Sequence, residues 1–269
     1  MIYQSYLNIA LRAATAAGEI LRTRSDDVMR QTAKRKESAR DIVTEIDKLA
    51  EEKIIRIIRD TDADVPILAE EHFDKSWKLK KIDSLDRLWV VDALDGTVNY
   101  INHIPFYAVS IAYIERGKPA VGVVFNPALS ELYYGARGVG VFRGSDPIKV
   151  RDAGPEHSLF ACAFSGGKYD DKRSVEFDVF RTINDTSMGV LRTGSASVNL
   201  ALLASGSLGG VWGRNNKIWD VAAGLLIAEL AGAEVKINYS LEKPELVSYT
   251  ASVPASSNFI LEKTSVLMK

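Results

Sequence analysis

The sequence predicts an α/β (α+β) protein in which layers of helix and sheet are stacked on one another. Short β-type runs separated by turns fill residues 65–144, which favours an antiparallel sheet. Strands and helical patterns alternate in the second half, which favours α/β architecture there. A chain of 269 residues can bury a substantial core, and we expect one compact unit with an N-terminal half (1–145) and a C-terminal half (146–269).

The first half is predicted to open with an amphipathic helix that reaches about Thr23. Its apolar positions at helical spacing are Ile2, Tyr6, Ile9, Ala10, Ala13, Ala17, Ile20 and Leu21. The basic, polar stretch 30–40 indicates a solvated loop, and residues 44–60 predict a second helix. Five β-type runs follow at 65–69, 88–91, 107–114, 120–125 and 131–135. Glycines over 135–144 indicate turns around a further short strand.

The second half predicts strands and helices in alternation. The predicted strands are 159–164, 189–191, 208–211, 235–237 and 246–248. The predicted helices are 175–183, 196–204 and 221–231. Gly206 and Gly232 follow the last two helices, as expected where a chain leaves a helix through a left-handed residue.

Composition excludes several classes of partner and site. Lys and Arg number 34 against 35 Asp and Glu, a net charge of −1, so neither nucleic acid nor a membrane surface is an expected partner. The single cysteine, Cys162, excludes an internal disulfide and a multi-cysteine metal site. The N-terminus lacks the basic and apolar regions of a signal peptide, and no apolar run approaches the ~18 residues of a membrane span. We therefore expect a cytoplasmic protein.

The segment 88–97 is the most informative part of the chain. An apolar run leads into Asp92, and Asp95, Gly96 and Thr97 follow directly. Two carboxylates three residues apart can hold a metal ion, and the Gly and Thr can offer N–H groups and a hydroxyl to a phosphate. When the segment is taken alone, ordinary turn chemistry is the favoured explanation.

Four further segments place acidic or small residues at junctions between elements. These are Asp-Ile-Val-Thr-Glu-Ile-Asp at 41–47, Ile-Leu-Ala-Glu-Glu at 67–71, Arg-Thr-Gly-Ser-Ala-Ser at 192–197 and Ile-Trp-Asp-Val-Ala-Ala-Gly at 218–224. Thr44 and Asp220 are interpreted as residues that cap helices. If the carboxylates converge, their mutual repulsion calls for divalent cations, and oxygen ligands favour Mg²⁺ or Mn²⁺ over Zn²⁺. Such a centre is typical of phosphoryl chemistry.

The joint pattern resembles the inositol monophosphatase family of metal-dependent, lithium-sensitive phosphatases. The motifs are Asp41-x-Val43-Thr44-x-x-Asp47, Glu70-Glu71, Asp92-x-Leu94-Asp95-Gly96-Thr97 and Trp219-Asp220-x-Ala222-Ala223-Gly224. The resemblance covers nearly the whole chain. It implies an αβαβα layered sandwich, a homodimer, and two or three Mg²⁺ ions, with Mn²⁺ as an alternative.

The resemblance also implies the metal ligands. Glu70, Asp92 and the backbone carbonyl of Leu94 would bind the first ion, and Asp92, Asp95 and Asp220 the second. Glu70, with Asp47 nearby, would help to place a third. The N-terminal half would therefore carry most of the ligands, and the C-terminal half would supply Asp220 and the turns that bind substrate.

Catalytic and substrate-binding residues follow from the same resemblance. Thr97, paired with Asp47, would orient and deprotonate a metal-bound water, with Glu70 and Lys36 as further catalytic residues. The N–H groups of Gly96 and Thr97 would hold the phosphate. The remaining substrate-binding candidates are Gly194, Ser195, Ala196 and Arg214.

Two departures from the family pattern keep the substrate open. Ala93 replaces a usual Pro, and Gly213 stands where inositol-specific members usually carry a Glu that bonds substrate hydroxyls. Arg214 and Lys217 favour a more anionic ligand if they face the site. The small phosphate ester could be inositol 1-phosphate, fructose 1,6-bisphosphate or a 3′(2′),5′-bisphosphate nucleotide, and we favour an inositol-1-monophosphatase of broad specificity. Histidinol phosphate and NADP(H) are further candidates. A regulator that binds metal and phosphate without catalysis is the alternative from another class.

Overall fold

The described residues form two β-sheets and three layers of helices, in the order α, β, α, β, α. The computed structural model describes residues 2–32, 39–73, 85–164, 171–240, 242–243 and 245–268. The helices are α1 Gln4–Thr32, α2 Ala39–Arg59, α3 Thr97–Ile101, α4 Asp171–Asn184, α5 Ala196–Ala204, α6 Ile218–Leu230 and α7 Pro254–Thr264. The strands are β1 Ile67–Ala69, β2 Arg87–Asp95, β3 Ala108–Glu115, β4 Lys118–Asn126, β5 Glu131–Ala136, β6 Gly140–Arg143, β7 Asp146–Pro147, β8 Phe160–Phe164, β9 Val190–Leu191, β10 Gly210–Lys217, β11 Glu234–Tyr239 and β12 Leu246–Ser252.

The first sheet has seven strands in chain order, β1 to β7. β1 runs parallel to β2, and every later pair is antiparallel, as the closely spaced runs in the sequence predict. α1 and α2 cover its outer face because each presents a stripe of apolar residues at helical spacing. Ala13, Leu21 and Ile54 belong to this stripe and pack in one buried cluster with Val91 and Ile111 of the sheet.

The second sheet has five strands in the order β11-β12-β10-β8-β9. β8 is parallel to both β9 and β10, whereas β12 is antiparallel to both its neighbours. α4 and α7 pack on its outer face around Phe160, Trp212 and Ile260. The described helices include none that is long and apolar enough to cross a membrane.

α5 and α6 form the central layer between the two sheets. α6 is apolar around most of its circumference and most of its residues are buried, which suits a helix between two sheets. Small residues let it approach closely, since a Cβ on Gly224 would lie 2.7 Å from the Cβ of Leu200 in α5. The five-layer sandwich implied by the resemblance is therefore confirmed.

Several predicted boundaries are wrong, and most errors lie where a helix or strand continues through polar residues. α1 continues past Thr23 to Thr32, and α2 begins at Ala39, so Thr44 lies inside the helix and does not cap it. Polar residues can sustain a helix without apolar periodicity, so its absence does not mark a helix end. The sequence interpretation also missed the short helix α3 and the C-terminal helix α7.

Candidate active site

β2 does not stop at Asp92. It continues to Asp95, with an irregularity in its pairing between these two residues. Asp92 pairs with Ser110 and Asp95 pairs with Ala108, so β2 spans three steps where β3 spans two. This is a β-bulge, and such bulges redirect side chains next to functional sites. The Asp92 carboxylate accepts the N–H of Leu94 at 2.8 Å, which holds the bulge in place.

Gly96 ends the bulge and turns the chain into α3. Its φ is +92°, in the left-handed region that favours glycine. A Cβ at this position would lie 2.7 Å from the carbonyl oxygen of Phe106, so the turn also leaves no room for a side chain. The hydroxyl of Thr97 donates to the carbonyl of Leu94 at 3.2 Å.

Three of the predicted metal ligands meet in space although they come from three elements. Glu70 follows β1, Asp92 lies in β2, and Asp220 lies in the first turn of α6. Asp220 is thus a residue inside the helix and not its cap, which is Lys217. One carboxylate oxygen from each of the three residues lies within 4.8 Å of the others. Glu70 is exposed and Asp92 is buried, so the cluster opens to solvent on one side.

The carboxylates of the cluster are held in an environment that disfavours negative charge. Burial, followed by the neighbouring carboxylates, raises the pKa of Asp92 and of Asp220 well above the ordinary value. Glu70 is exposed as a residue, but the loss of water around its carboxylate and the charges of nearby acidic residues raise its pKa to about 7. Burial and the same kind of charges raise the pKa of Asp47 to about 8. A divalent cation removes this conflict by supplying positive charge at close range.

The donor set fits a hard cation. The converging ligands are carboxylate oxygens, and the Leu94 carbonyl lies within the same bulge. Oxygen ligands of this kind suit Mg²⁺ or Mn²⁺, whereas Zn²⁺ in proteins prefers His and Cys. The cluster could therefore bind metal.

Asp95 faces the N-terminal end of α5. One of its carboxylate oxygens, Oδ2, accepts the hydroxyls of Ser195 and Ser197, both at 2.6 Å, and the N–H of Ser197 at 2.8 Å. The sequence interpretation missed the part played by Ser197. The small hydroxyl residues of 192–197 were the available signal, but their hydrogen-bond partner lies 102 positions away.

Glu70 is also oriented by distant groups. The indole N–H of Trp219 donates to its carboxylate at 3.0 Å, and the Trp219 ring packs on Phe73 with centroids 5.3 Å apart. Fully buried Glu51 accepts the N–H of Glu71 at 2.9 Å and also contacts the His72 ring. The only sign of Glu51 in the sequence is its position one helical turn after Asp47.

A cavity of about 420 Å³ adjoins the acidic cluster. Asp95 and Asp220 line one part of it, and the predicted residues Gly194, Ser195 and Ala196 another. Within the described part of the chain, Arg214 does not line this cavity, and its guanidinium lies 3.6 Å from the buried carboxylate of Glu176.

Two other basic residues, Arg192 and Lys217, line the cavity. The Arg192 guanidinium lies 5.2 Å above the ring of Phe164 and donates to its carbonyl at 3.3 Å. The Lys217 ammonium lies 3.7 Å from Glu245, which partly balances its charge.

Two predicted catalytic features are not assembled in this geometry. Among the described residues no hydrogen bond joins Thr97 to Asp47, because the Thr97 hydroxyl is directed to Leu94. Asp47 is buried near the acidic cluster. Lys36 lies outside the described residues.

The metal-free protein is expected to lose stability as pH rises from about 5 to 8. The pKa of Asp47 is raised from its ordinary 3.8 to about 8, so over this range the folded state keeps a proton that the unfolded state has released. Stability then falls with pH, by at most ~1.4 kcal/mol per pH unit for each such group. The melting temperature in EDTA at pH 5 to 9 measures this, and saturating Mg²⁺ should flatten the trend. A melting temperature in EDTA that rises from pH 5 to 8 would contradict it.

Comparison with known proteins agrees with this geometry. The chain matches the model of the inositol monophosphatase family over residues 2–259. It is 36% identical over 235 residues to an inositol-1-monophosphatase of Synechocystis sp.. That alignment covers 86% of this chain and 78% of the relative. It is 31% identical over 230 residues to a fructose-1,6-bisphosphatase/inositol-1-monophosphatase of Aquifex aeolicus, covering 85% and 84%.

A solved structure extends the likeness to the whole fold. The inositol monophosphatase from Anabaena (Nostoc) sp. superposes with a TM-score of 0.82 at 30% identity, covering 99% of this chain and 98% of that one. Family, relatives and fold agree with one another. The chain therefore belongs to the inositol monophosphatase family and is a phosphoric monoester hydrolase.

Proposed function

We propose that the protein hydrolyses a small phosphate monoester with the aid of two or three Mg²⁺ ions. The observation that carries this proposal is the convergence of Glu70, Asp92 and Asp220, with oxygens within 4.8 Å of one another, beside a cavity that Asp95 also lines. The residues that would hold the ions are Glu70, Asp92, Leu94 through its carbonyl, Asp95 and Asp220. Bound Mg²⁺ would neutralise phosphate charge and activate water.

The chain's own groups supply proton transfer and orientation. Phosphate monoesters hydrolyse so slowly that enzymes reach accelerations of up to ~10²¹-fold, and one general base contributes only ~10²–10⁴. Asp47 is proposed to take part in proton transfer, and in the metal-free protein burial and nearby carboxylates raise its pKa to about 8. Thr97 is the proposed partner of Asp47 in the proton path, and the N–H groups of Gly96 and Thr97 are proposed to bind the phosphate. Glu70 and Lys36 complete the proposed catalytic set.

The cavity is proposed to bind the alcohol part of the ester. Gly194, Ser195 and Ala196 line it, and we propose that this turn contacts the alcohol oxygens of the ester. We favour an inositol-1-monophosphatase with broad specificity, acting as a homodimer.

A sugar bisphosphate such as fructose 1,6-bisphosphate is the second candidate substrate. The observation that favours it is the presence of Arg192 and Lys217 in the cavity wall, where they can meet a second anionic group. The similarity to the Aquifex aeolicus enzyme supports the same candidate.

A phosphate-release assay on a substrate panel tests the proposed function. The panel holds inositol 1-phosphate, fructose 1,6-bisphosphate and adenosine 3′,5′-bisphosphate, each with Mg²⁺, with EDTA and with added Li⁺. We expect release from at least one ester with Mg²⁺, loss of release in EDTA, and inhibition by Li⁺. Binding of Mg²⁺ without release from any ester would instead favour the non-catalytic regulator.

A further inference from the structure

The hydrogen bonds to Asp95 converge on one of its two oxygens. Oδ2 accepts three donors from the start of α5, which are the hydroxyls of Ser195 and Ser197 and the N–H of Ser197. All three residues are buried, with 9%, 1% and 0% of their surface exposed for Asp95, Ser195 and Ser197. Little solvent reaches these bonds at such burial, and bonds to a charged acceptor are about twice as strong as neutral ones.

A carboxylate oxygen offers about two lone-pair sites, so three donors saturate Oδ2. Asp95 also lines the cavity, and Oδ1 is the carboxylate oxygen that these three donors do not occupy. Building on the proposed function, we infer that Ser195 and Ser197 are positioning residues that commit Oδ2 to α5 and present Oδ1 alone to the bound cation. Asp95 is then a monodentate ligand whose orientation is set by α5.

The segment that carries these serines is itself anchored. The Thr193 hydroxyl donates to Asn199 at 2.7 Å within the turn and first residues of α5. The Asn99 amide donates to the Thr193 carbonyl at 2.8 Å, which ties the turn to α3 and so to the segment that follows Asp95. The Asp95 carboxylate and the serines that donate to it are therefore held in position relative to each other before any ion binds.

Helix capping alone is the simpler explanation of Ser195. Its hydroxyl accepts the N–H of Val198 at 3.2 Å, as an N-cap residue does. Capping does not explain Ser197, which lies inside α5 and directs its hydroxyl to Asp95. The two explanations also differ in outcome, since loss of a cap lowers stability, whereas loss of a positioning contact lowers cation affinity.

Mg²⁺ binding by full-length variants distinguishes helix capping from positioning of Asp95. The test variant is Ser197→Ala, and the matched control is Ser256→Ala in α7. Ser256 is also fully buried, and its hydroxyl makes a comparable bond to the Ala153 carbonyl at 2.9 Å. Calorimetric titration of the chelator-treated proteins with Mg²⁺ measures affinity without turnover. Melting temperature in EDTA measures the structural cost of each change.

We expect Ser197→Ala to weaken Mg²⁺ binding about 10-fold at one ion, the scale typical of outer-shell ligands. The Mg²⁺ concentration for half-maximal activity should rise by the same factor. At saturating Mg²⁺, kcat should stay within about threefold and KM for the ester should be unchanged. Ser256→Ala should lower the melting temperature without moving any of these quantities.

A second pair of variants keeps the inference testable if Ser197→Ala misfolds. Ser195→Ala should also weaken Mg²⁺ binding, and Ser195→Thr, which keeps the hydroxyl, should restore it. Wild-type Mg²⁺ affinity in both alanine variants, with only the melting temperature lowered, overturns the inference and leaves the proposed function standing. A wild-type protein that binds no Mg²⁺ overturns the proposed function and the inference with it.

Discussion

Replacing Asp92 by Asn is expected to lower phosphate release by about 10³-fold or more while raising the melting temperature in EDTA. Asp92 belongs to the cluster whose oxygens lie within 4.8 Å of one another, so the change removes a ligand and one negative charge. The metal stabilises the transition state, and losing about 4 kcal/mol of that stabilisation lowers the rate by this factor, at ~1.4 kcal/mol for each tenfold change in rate. The protein without metal gains because Asp92 is buried and its charged form is opposed by Glu70 and Asp220.

The Asn side chain also preserves the local fold. Its carbonyl oxygen can accept the N–H of Leu94, as Asp92 does now at 2.8 Å. The exposed Asp64→Asn, on the loop before β1, makes the same chemical change away from the cluster and should leave both quantities unaltered. Assays at several Mg²⁺ concentrations, with melting curves in EDTA, measure the pair. Wild-type activity of Asp92→Asn at limiting Mg²⁺ would remove Asp92 from the proposed ligands.

Replacing Gly213 by Glu is expected to destabilise the protein by about 3 kcal/mol or more and to leave no preference for inositol 1-phosphate. A Cβ on Gly213 would lie 2.2 Å from the Asn216 side-chain oxygen, 2.5 Å from the Tyr249 ring and 2.9 Å from the Ala163 carbonyl. The last contact is with backbone, which cannot rotate away. Overpacking costs ~1–3 kcal/mol, and a buried charge without a partner adds to it.

Gly213→Ala separates the two contributions. It brings the same Cβ into the same contacts without charge, so we expect a smaller loss of about 1–3 kcal/mol. Denaturant unfolding with Mg²⁺ present measures both variants, and the substrate panel reports on preference. A Gly213→Glu protein of wild-type stability, with a new preference for the inositol ester, would show that the position is open after all.

The crowding at Gly213 changes the meaning of this departure from the family pattern. The sequence alone shows only that the usual Glu is absent there. In the structure no room is left for a side chain, because a bulge in β10 between Gly213 and Asn216 brings the Asn216 side chain back over the glycine, beside Tyr249 of β12. Recognition of the alcohol part of the substrate is accordingly proposed for the other residues of the cavity wall.

The fold class and the acidic centre could be predicted from the sequence because both depend on local pattern. Apolar spacing predicts the inward faces of α1 and α2 and the strands of the first sheet, since burial follows periodicity along the chain. The junction motifs place Glu70, Asp92 and Asp220 next to strand ends and helix starts, and their joint occurrence identified the family. The family match and the solved relative confirm that identification.

Boundaries and orientations could not be predicted in the same way. The strand at 88–91 was expected to end at Asp92, whereas hydrogen bonding with β3 carries it on to Asp95. That Arg214 binds substrate stays a prediction, and the sequence cannot show that a buried carboxylate, Glu176, lies within 3.6 Å of it. These outcomes depend on which neighbours the chain brings close, and the neighbours are remote in sequence.

The sequence by itself determined the layered α/β class and the family and predicted which acidic residues form the centre, because residue type and spacing suffice for these. Only the tertiary structure decided how the carboxylates are held. Trp219 reaches Glu70 across 149 positions, and Ser197 reaches Asp95 across 102. Hydrogen bonds of this kind require atoms to meet within about 3 Å, and only the packing of α5 and α6 between the two sheets brings them that close.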